Sequence, residues 1–249
     1  MSLASRAPLK IARAGQREGA HLVSRGIPLP ASATHAVDEY LAVARALGAV
    51  VDPIDFALKP PADARWSVTQ LLEAQRVSSD RPLIVVSPSA AQRWKQWPEE
   101  RWSQVLLALA DLGNVVVIGT SPQAQLHRRI VEGARRRPID LTGQTTLAEA
   151  MALIERAALH VAPDTGTVHM AVALGTPVVA IYGPTPVIRV GPYRQPESVL
   201  GNANLCGFGC PAYCVFGRRC LRAVAAADVI ACAEEALNKP VGQMPTGVP

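Results

Sequence analysis

The sequence predicts an α/β protein built on a doubly wound parallel sheet, and three observations predict it. From residue 82 onward, short apolar runs alternate with segments of helical periodicity. The runs are apolar at nearly every position rather than at alternate ones, as in strands covered on both faces. Prolines stand where helices open, and a glycine stands where one closes.

Leu83 to Ser87 is the first buried strand. Pro98-Glu99-Glu100 opens a helix with acids in its first turn, and Trp102, Val105, Leu106 and Leu109 recur along one face. Asn114 to Ile118 is the second strand. Pro122 opens a helix carrying Leu126, Ile130 and Val131. Pro138 to Leu141 is a short third strand. Thr146-Leu147-Ala148-Glu149 is a capping box, and its helix places Leu147, Ala150, Met151 and Ile154 together. Leu159 to Ala162 is the fourth strand, a helix runs from about Thr167 to Leu174 before Gly175, and Pro177 to Ile181 is the fifth strand. Sheets of this kind bind ligands beyond the carboxyl ends of their strands.

The first 80 residues read differently. Leu9 to Ala12 suits a strand. Val37, Tyr40, Leu41, Ala44 and Leu47 mark a helix ended by Gly48. Pro53 to Leu58 suits another strand, and Ser67 to Ala74 another helix. These fall short of a second doubly wound domain of roughly 100–150 residues. The expected organisation is residues 1–80 as the closing part of a first α/β domain, 81–237 as a complete ligand-binding domain and 238–249 as a Pro- and Gly-containing tail, with the linker near 78–82.

Apolar residues make up 49% and charged residues 18%, ordinary for a folded chain. The apolar stretch from Met170 to Tyr182 is broken by Gly175 and Pro177 and is shorter than the roughly 20 residues of a membrane span. The first residues carry no apolar leader core, so a cytoplasmic protein is expected. Net charge is +5, with arginines at 128, 129, 135–137, 218, 219 and 222. Such a surface suits phosphates of any kind, or is a solvated helix face. With 4% aromatic residues and no ribonucleoprotein motif, nucleic acid is not an expected partner.

Three segments could carry chemistry. Pro163-Asp164-Thr165-Gly166-Thr167-Val168-His169 joins a buried strand to a helix. Gly166 permits close backbone approach, and the free amides at the helix start favour an anion such as pyrophosphate. Thr165 and Thr167 add hydroxyls, and His169 lies in the first turn. The plain alternative makes Asp164 a helix N-cap and His169 a packed histidine. Ser87-Pro88-Ser89 and Lys95-Gln96-Trp97-Pro98 follow the first strand and reach the same edge. Lys95 precedes a helix start, where the dipole disfavours a cation, and a phosphate between them would relieve the conflict. Ile181-Tyr182-Gly183-Pro184-Thr185 ends the fifth strand; it lines the same cleft or is a plain turn.

Taken together, Lys-x-Trp-Pro-Glu-Glu-x-Trp (95–102), Asp-Thr-Gly-x-x-His-x-Ala-x-Ala-Leu-Gly-x-Pro (164–177) and Tyr-Gly-Pro-Thr (182–185) resemble the C-terminal domain of glycosyltransferase family 9, the ADP-heptose:lipopolysaccharide heptosyltransferases and their relatives. The resemblance is collinear from about residue 84 to 192. Arg17-Glu18-Gly19-Ala20 and His35-Ala36-Val37-Asp38-x-Tyr40-Leu41 look like the closing part of that family's N-terminal domain.

The resemblance implies a GT-B architecture, with a Rossmann-like domain binding the donor and the remnant of an N-terminal α/β domain. It implies transfer of a heptose or related sugar from an ADP-sugar to a lipopolysaccharide core acceptor, with possible contact at the inner membrane. Lys95 would contact the donor's phosphates or sugar and stabilise the leaving group. Ser87 and Ser89 would face the donor from the first loop, and Gly183 from the last. Asp164, Thr165, Gly166, Thr167 and His169 would hold diphosphate and sugar. Gln123 and Gln125 stand near the ribose where some relatives have glutamate, and Gly143 to Thr146, with Thr145, would lie near the base. The family's general base belongs to a strand and Gly-rich loop that no segment before residue 9 matches, and Asp38, Asp52 and Asp55 lack that setting. The acceptor half is therefore expected to be incomplete here. No cofactor is expected, and no metal-binding Asp-x-Asp motif is evident.

The alternative is a chain that binds ADP or a nucleotide sugar without catalysing transfer. A nicotinamide dehydrogenase is disfavoured because the first strand leads into Ser87-Pro88-Ser89-Ala90 rather than G-x-G-x-x-G. An epimerase of GT-B shape would need a different carboxylate pattern. Cys206, Cys210, Cys214 and Cys220 have C-x3-C-x3-C-x5-C spacing, unlike paired C-x2-C zinc sites. Thiols in a reducing cytosol, a structural metal site and disulfides all stay open. Cys232 shares a face with Val229, Ala233 and Ala236.

Overall fold

The computed structural model describes residues 9–15, 22, 24–134, 138–201, 214 and 217–239. The chain enters through β1 (Ile11–Arg13) and β2 (Arg25–Ile27), paired in parallel, followed by α1 (Ala36–Ala46) and α2 (Ala62–Ala74). Strands β3 (Leu83–Val86), β4 (Asn114–Val117), β5 (Ile139–Asp140), β6 (Leu159–Pro163), β7 (Val178–Ile181) and β8 (Val199–Leu200) then form one parallel sheet in the order β5-β4-β3-β6-β7-β8. The order reverses between β3 and β6, which creates a crevice at their carboxyl ends.

Alternation along the strands feeds two cores. Ile84, Val86, Val115, Val117, Val161 and Ile181 face one side, under α3 (Glu99–Leu112), α4 (Ala124–Gly133), α8 (Arg219–Ala223) and α9 (Ala226–Asn238). Leu83, Val85, Val116, Ala162 and Ala180 face the other, under α2, α5 (Leu147–Arg156) and α6 (Gly166–Leu174). The remaining helix, α7 (Val187–Val190), follows β7.

Most expected elements form within a residue or two of their expected ends. Pro98 is the N-cap of α3 rather than its first residue. The Thr146 capping box forms with Glu149, and Gly175 ends α6 in the left-handed region at φ 75. Four expectations need correction. Leu147 is 71% exposed, and α5 buries Ala152, Leu153 and Ile154 instead. In α1 it is Glu39 that is buried, while Tyr40 and Leu47 are exposed, because Arg189 and Arg13 cover the carboxylate. Pro53 to Leu58 forms no strand: Pro53 has no N–H to give, Ala57 turns to φ 48, and no described strand lies beside it. Helix α2, expected on the N-terminal side, places Ala64, Val68 and Leu72 in the core with Leu83, Val85 and Ile154.

Candidate donor-binding site

The crevice is built from the loops after β3 and β6. Ser87 N–H still pairs with Val161 O across the strands, after which the chain leaves the sheet. Trp97 anchors the far end of that loop, 2% exposed, edge-on to Trp102 at 5.0 Å and donating its indole N–H to Val224 O at 3.2 Å. Between these fixed points a short 3₁₀ turn, Arg93–Lys95, presents Lys95. Its Nζ reaches Asp164 Oδ2 at 2.8 Å, with the lysine side chain 20% and the aspartate 7% exposed. Asp164 accepts a further hydrogen bond from the Thr185 hydroxyl. One carboxylate thereby ties together the loops after β3, β6 and β7.

Asp164 is therefore not the helix cap. Thr165 is the N-cap of α6, with no side-chain hydrogen bond to the helix. Val168 N–H closes the first turn on Thr165 O at 3.1 Å; the amides of Gly166 and Thr167 ahead of it have no preceding helical carbonyl to bond and suit an anion. A Cβ added to Gly166 would meet nothing within 4 Å, so the space beside these amides is open. His169 is exposed on the same turn. Crowding on the cleft wall lowers its imidazole pKa, Asp164 opposes that shift, and His35 and Lys95 add to it. The dipole conflict at Lys95 is met by the Asp164 carboxylate.

Two buried histidines stand behind these loops. His160, within β6, contacts Val85 O through Nδ1 at 3.1 Å and Thr167 Oγ1 through Nε2 at 3.0 Å. His127, on α4, contacts Ser89 Oγ and Thr142 Oγ1, each at 2.7 Å. Burial pushes both imidazoles down to about 4. The Ser87 hydroxyl is buried and has no hydrogen-bond partner among the described residues, a costly state that a ligand at the strand end would relieve.

The other expected residues are less central. Gln123 accepts from Thr120 N–H at 2.8 Å, so its carbonyl oxygen closes a turn before α4. Thr145 is half-buried after β5, two strands from the order reversal. Gly183 is required by packing, since a Cβ there would lie 2.7 Å from Leu221.

Sequence reasoning missed His127, His160 and Arg218. A lone histidine inside the apolar run 159–162, and another on the apolar face of α4, were available signals. Arg218 gave none; at φ 58 it reaches back to the carbonyls of Arg93 and Gln96 at 3.3 and 3.1 Å, bracing the Lys95 turn.

Among the described residues, no group of three His, Cys, Asp or Glu side chains could hold a metal. Cys206 and Cys210 lie outside the described residues, as do Arg17 to Ala20 and Arg135 to Arg137. Cys214 Sγ accepts from Arg218 N–H at 3.2 Å, Cys220 packs in the core, and Cys232 is half-buried with its thiol pKa raised by burial.

A parallel sheet whose order reverses between β3 and β6, with a helix start and a lysine at the switch point, defines a domain of the doubly wound α/β class. The sequence family described as Glycosyltransferase family 9 (heptosyltransferase) matches residues 3–215, and the chain belongs to that family. It is 30% identical over 170 residues to Lipopolysaccharide heptosyltransferase 3 of Escherichia coli strain K12, covering 67% of this chain and 49% of that one. It is 29% identical over 212 residues to Lipopolysaccharide core heptosyltransferase OpsX of Haemophilus influenzae, covering 80% and 58%. The chain thus spans about half the length of these relatives. The crystal structure of the glycosyl transferase family 9 from Veillonella parvula superposes with a TM-score of 0.73 at 22% identity, covering 88% of this chain and 64% of that one. E. coli heptosyltransferase WaaC with ADP superposes with a TM-score of 0.58 at 22% identity, covering 87% and 61%. The fold is of the GT-B type.

Proposed function

We propose that this chain binds the nucleoside diphosphate of an ADP-sugar at the switch point and serves transfer of a heptose, or a related sugar, to a lipopolysaccharide core acceptor. The observation that carries the reading is Lys95 held on Asp164 beside the uncapped start of α6. Relatives named lipopolysaccharide heptosyltransferases supply the sugar and acceptor classes.

In the transfer, the acceptor hydroxyl gives its proton to a general base as its oxygen forms a bond to the anomeric carbon, and the bond from that carbon to the diphosphate oxygen breaks. The diphosphate leaves with added negative charge. Lys95 has further N–H donors beyond its contact with Asp164, and with the α6 amides it stabilises that charge. The second oxygen of Asp164 suits a sugar hydroxyl better than a phosphate. Ser87, Ser89, Thr165 and His169 surround the same group, with Gln123 towards the ribose and Thr145 towards the base. Asp38, Asp52 and Asp55 are engaged by Tyr193, Arg45 and the Ala57 amide, and none is assigned as general base. The basic surface suits an acceptor at the cytoplasmic face of the inner membrane. No helix among the described residues is long and apolar enough to cross it.

Calorimetric titration with ADP tests the donor site. Lys95→Ala is expected to weaken binding about 10- to 100-fold, the scale of one charged hydrogen bond. Gly166→Ala is expected to leave the fold intact, because its methyl enters open space, and to weaken ADP by obstructing the amides. Unchanged affinity in both variants sinks the reading. Incubation with ADP-heptose and a core acceptor then separates transfer by this chain from donor binding without turnover.

A further inference from the structure

Thr167 was expected to give its hydroxyl to the donor, but its hydrogen bond to His160 argues otherwise. The Val85 carbonyl can only accept, so the proton of the neutral His160 ring must sit on Nδ1. Nε2 is then a bare acceptor, and the Thr167 hydroxyl must donate to it across 3.0 Å. His160 is fully buried as the second residue of β6, where the low pKa keeps the ring neutral at ordinary pH. The Thr167 proton is therefore committed inward.

We propose that His160 is a positioning residue of the donor site: through Thr167 it pins the first turn of α6, so that backbone amides and Lys95, and not the Thr167 hydroxyl, face the diphosphate. The phosphate role of the loop rests on the function proposed above; the pinning does not. The arrangement has a physical logic. The Thr165 side chain makes no capping hydrogen bond to α6, and Gly166 has open space beside it; the ties of Asp164 to Lys95 and Thr185 lie ahead of the turn, and the Thr167–His160 bond fastens a first-turn side chain to the sheet. An anion site made of amides needs those amides fixed before the ligand arrives, because ordering them on binding would weaken it. His160 itself is fixed by the strand it belongs to, with β3 on one side and β7 on the other.

The test uses the full chain and the variants His160→Leu, Thr167→Val, Thr167→Ser and the His160→Leu/Thr167→Val pair. Amide hydrogen exchange at Val168, whose N–H bonds Thr165 O across the first turn, is read first, without ligand. Exchange is expected to rise about three- to tenfold in His160→Leu and in Thr167→Val, the factor set by one hydrogen bond. The double variant should go no further, and Thr167→Ser should stay near the parent. ADP affinity should fall by the same about three- to tenfold in each single variant, again without multiplying in the pair. Loss of ADP binding in Thr167→Val alone, with His160→Leu unaffected in both readouts, would make Thr167 a direct ligand and overturn the proposal. Losses that multiply would overturn it too. If His160→Leu loosens the whole sheet, seen as faster exchange at Val85 and Val161, Thr167→Val decides. If the parent chain binds no ADP, the donor reading fails, and the exchange result alone still decides the pinning.

Discussion

The sheet domain and the first 58 residues solve the same problem with unequal means. In the domain, six parallel strands lie between two helical layers, and every residue of the central strands β3, β6 and β7 is buried. In the first segment, two three-residue strands pair with each other, and Leu9, Tyr40, Leu47 and Val50 stay exposed, Val50 at 92%. That segment meets the domain through the rings of His35 and Phe56 against Tyr193 and through a few polar contacts. Arg189 of α7 pairs with Glu39 at 3.0 Å, the Tyr193 hydroxyl donates to Asp38 at 2.6 Å, and His35 Nε2 donates to Gly191 O at 3.0 Å. The difference teaches that one part is held by area removed from water and the other by a few directional contacts. The first resists single losses of polarity but not of volume, and the second the reverse.

The largest effect should come from breaking the domain side. Ile84→Ala, at a fully buried position, is expected to cost about 2–5 kcal/mol in chemical denaturation. A cost below that range would mean the sheet can collapse around the cavity. Next comes acid. His127 and His160 have pKa values near 4 when folded, against 6.5 when unfolded. The unfolded chain therefore binds more protons between those values, and stability is lost as pH falls from 6.5 towards 4, by on the order of 3 kcal/mol per histidine at most. Denaturation midpoints at pH 7 and pH 5 measure this, and His127→Phe should flatten the slope. On the attachment side, Glu39→Ala should cost about 1 kcal/mol, because the carboxylate lies under two arginines rather than deep in a core. Limited proteolysis should show faster cutting before residue 58 with the domain intact; equal rates in both regions would refute the division. Smallest is Val50→Ser, expected within about 0.5 kcal/mol of the parent.

The same contrast explains what the sequence disclosed. Strands β3, β4, β6 and β7 were legible because burial on both faces leaves an unbroken apolar run. The α6 loop and the Lys95 turn were legible as motifs expected at one sheet edge, and the Lys95–Asp164 pair brings them together there. Glu39 was illegible, because a carboxylate on a helix reads as solvent-facing until its arginines, one of them 150 residues away, are in view. Pro53 to Leu58 misled because apolar content alone does not make a strand without a neighbour to pair with. The turn-closing hydrogen bond that Gln123 accepts from Thr120 N–H depends on backbone geometry that composition does not encode.

Helix α2 bears on how such a protein can be rearranged by evolution. Its inner face completes the layer over Leu83 and Val85, although it precedes the sheet in the chain and is followed by an exposed stretch at 78–82 that resembles a seam. A crossover at that stretch would strip the recipient of the surface that seals its own sheet. Genes exchanging donor halves within this family would keep a sound product only by breaking upstream of Pro60-Pro61, so that the helix travels with the sheet it covers.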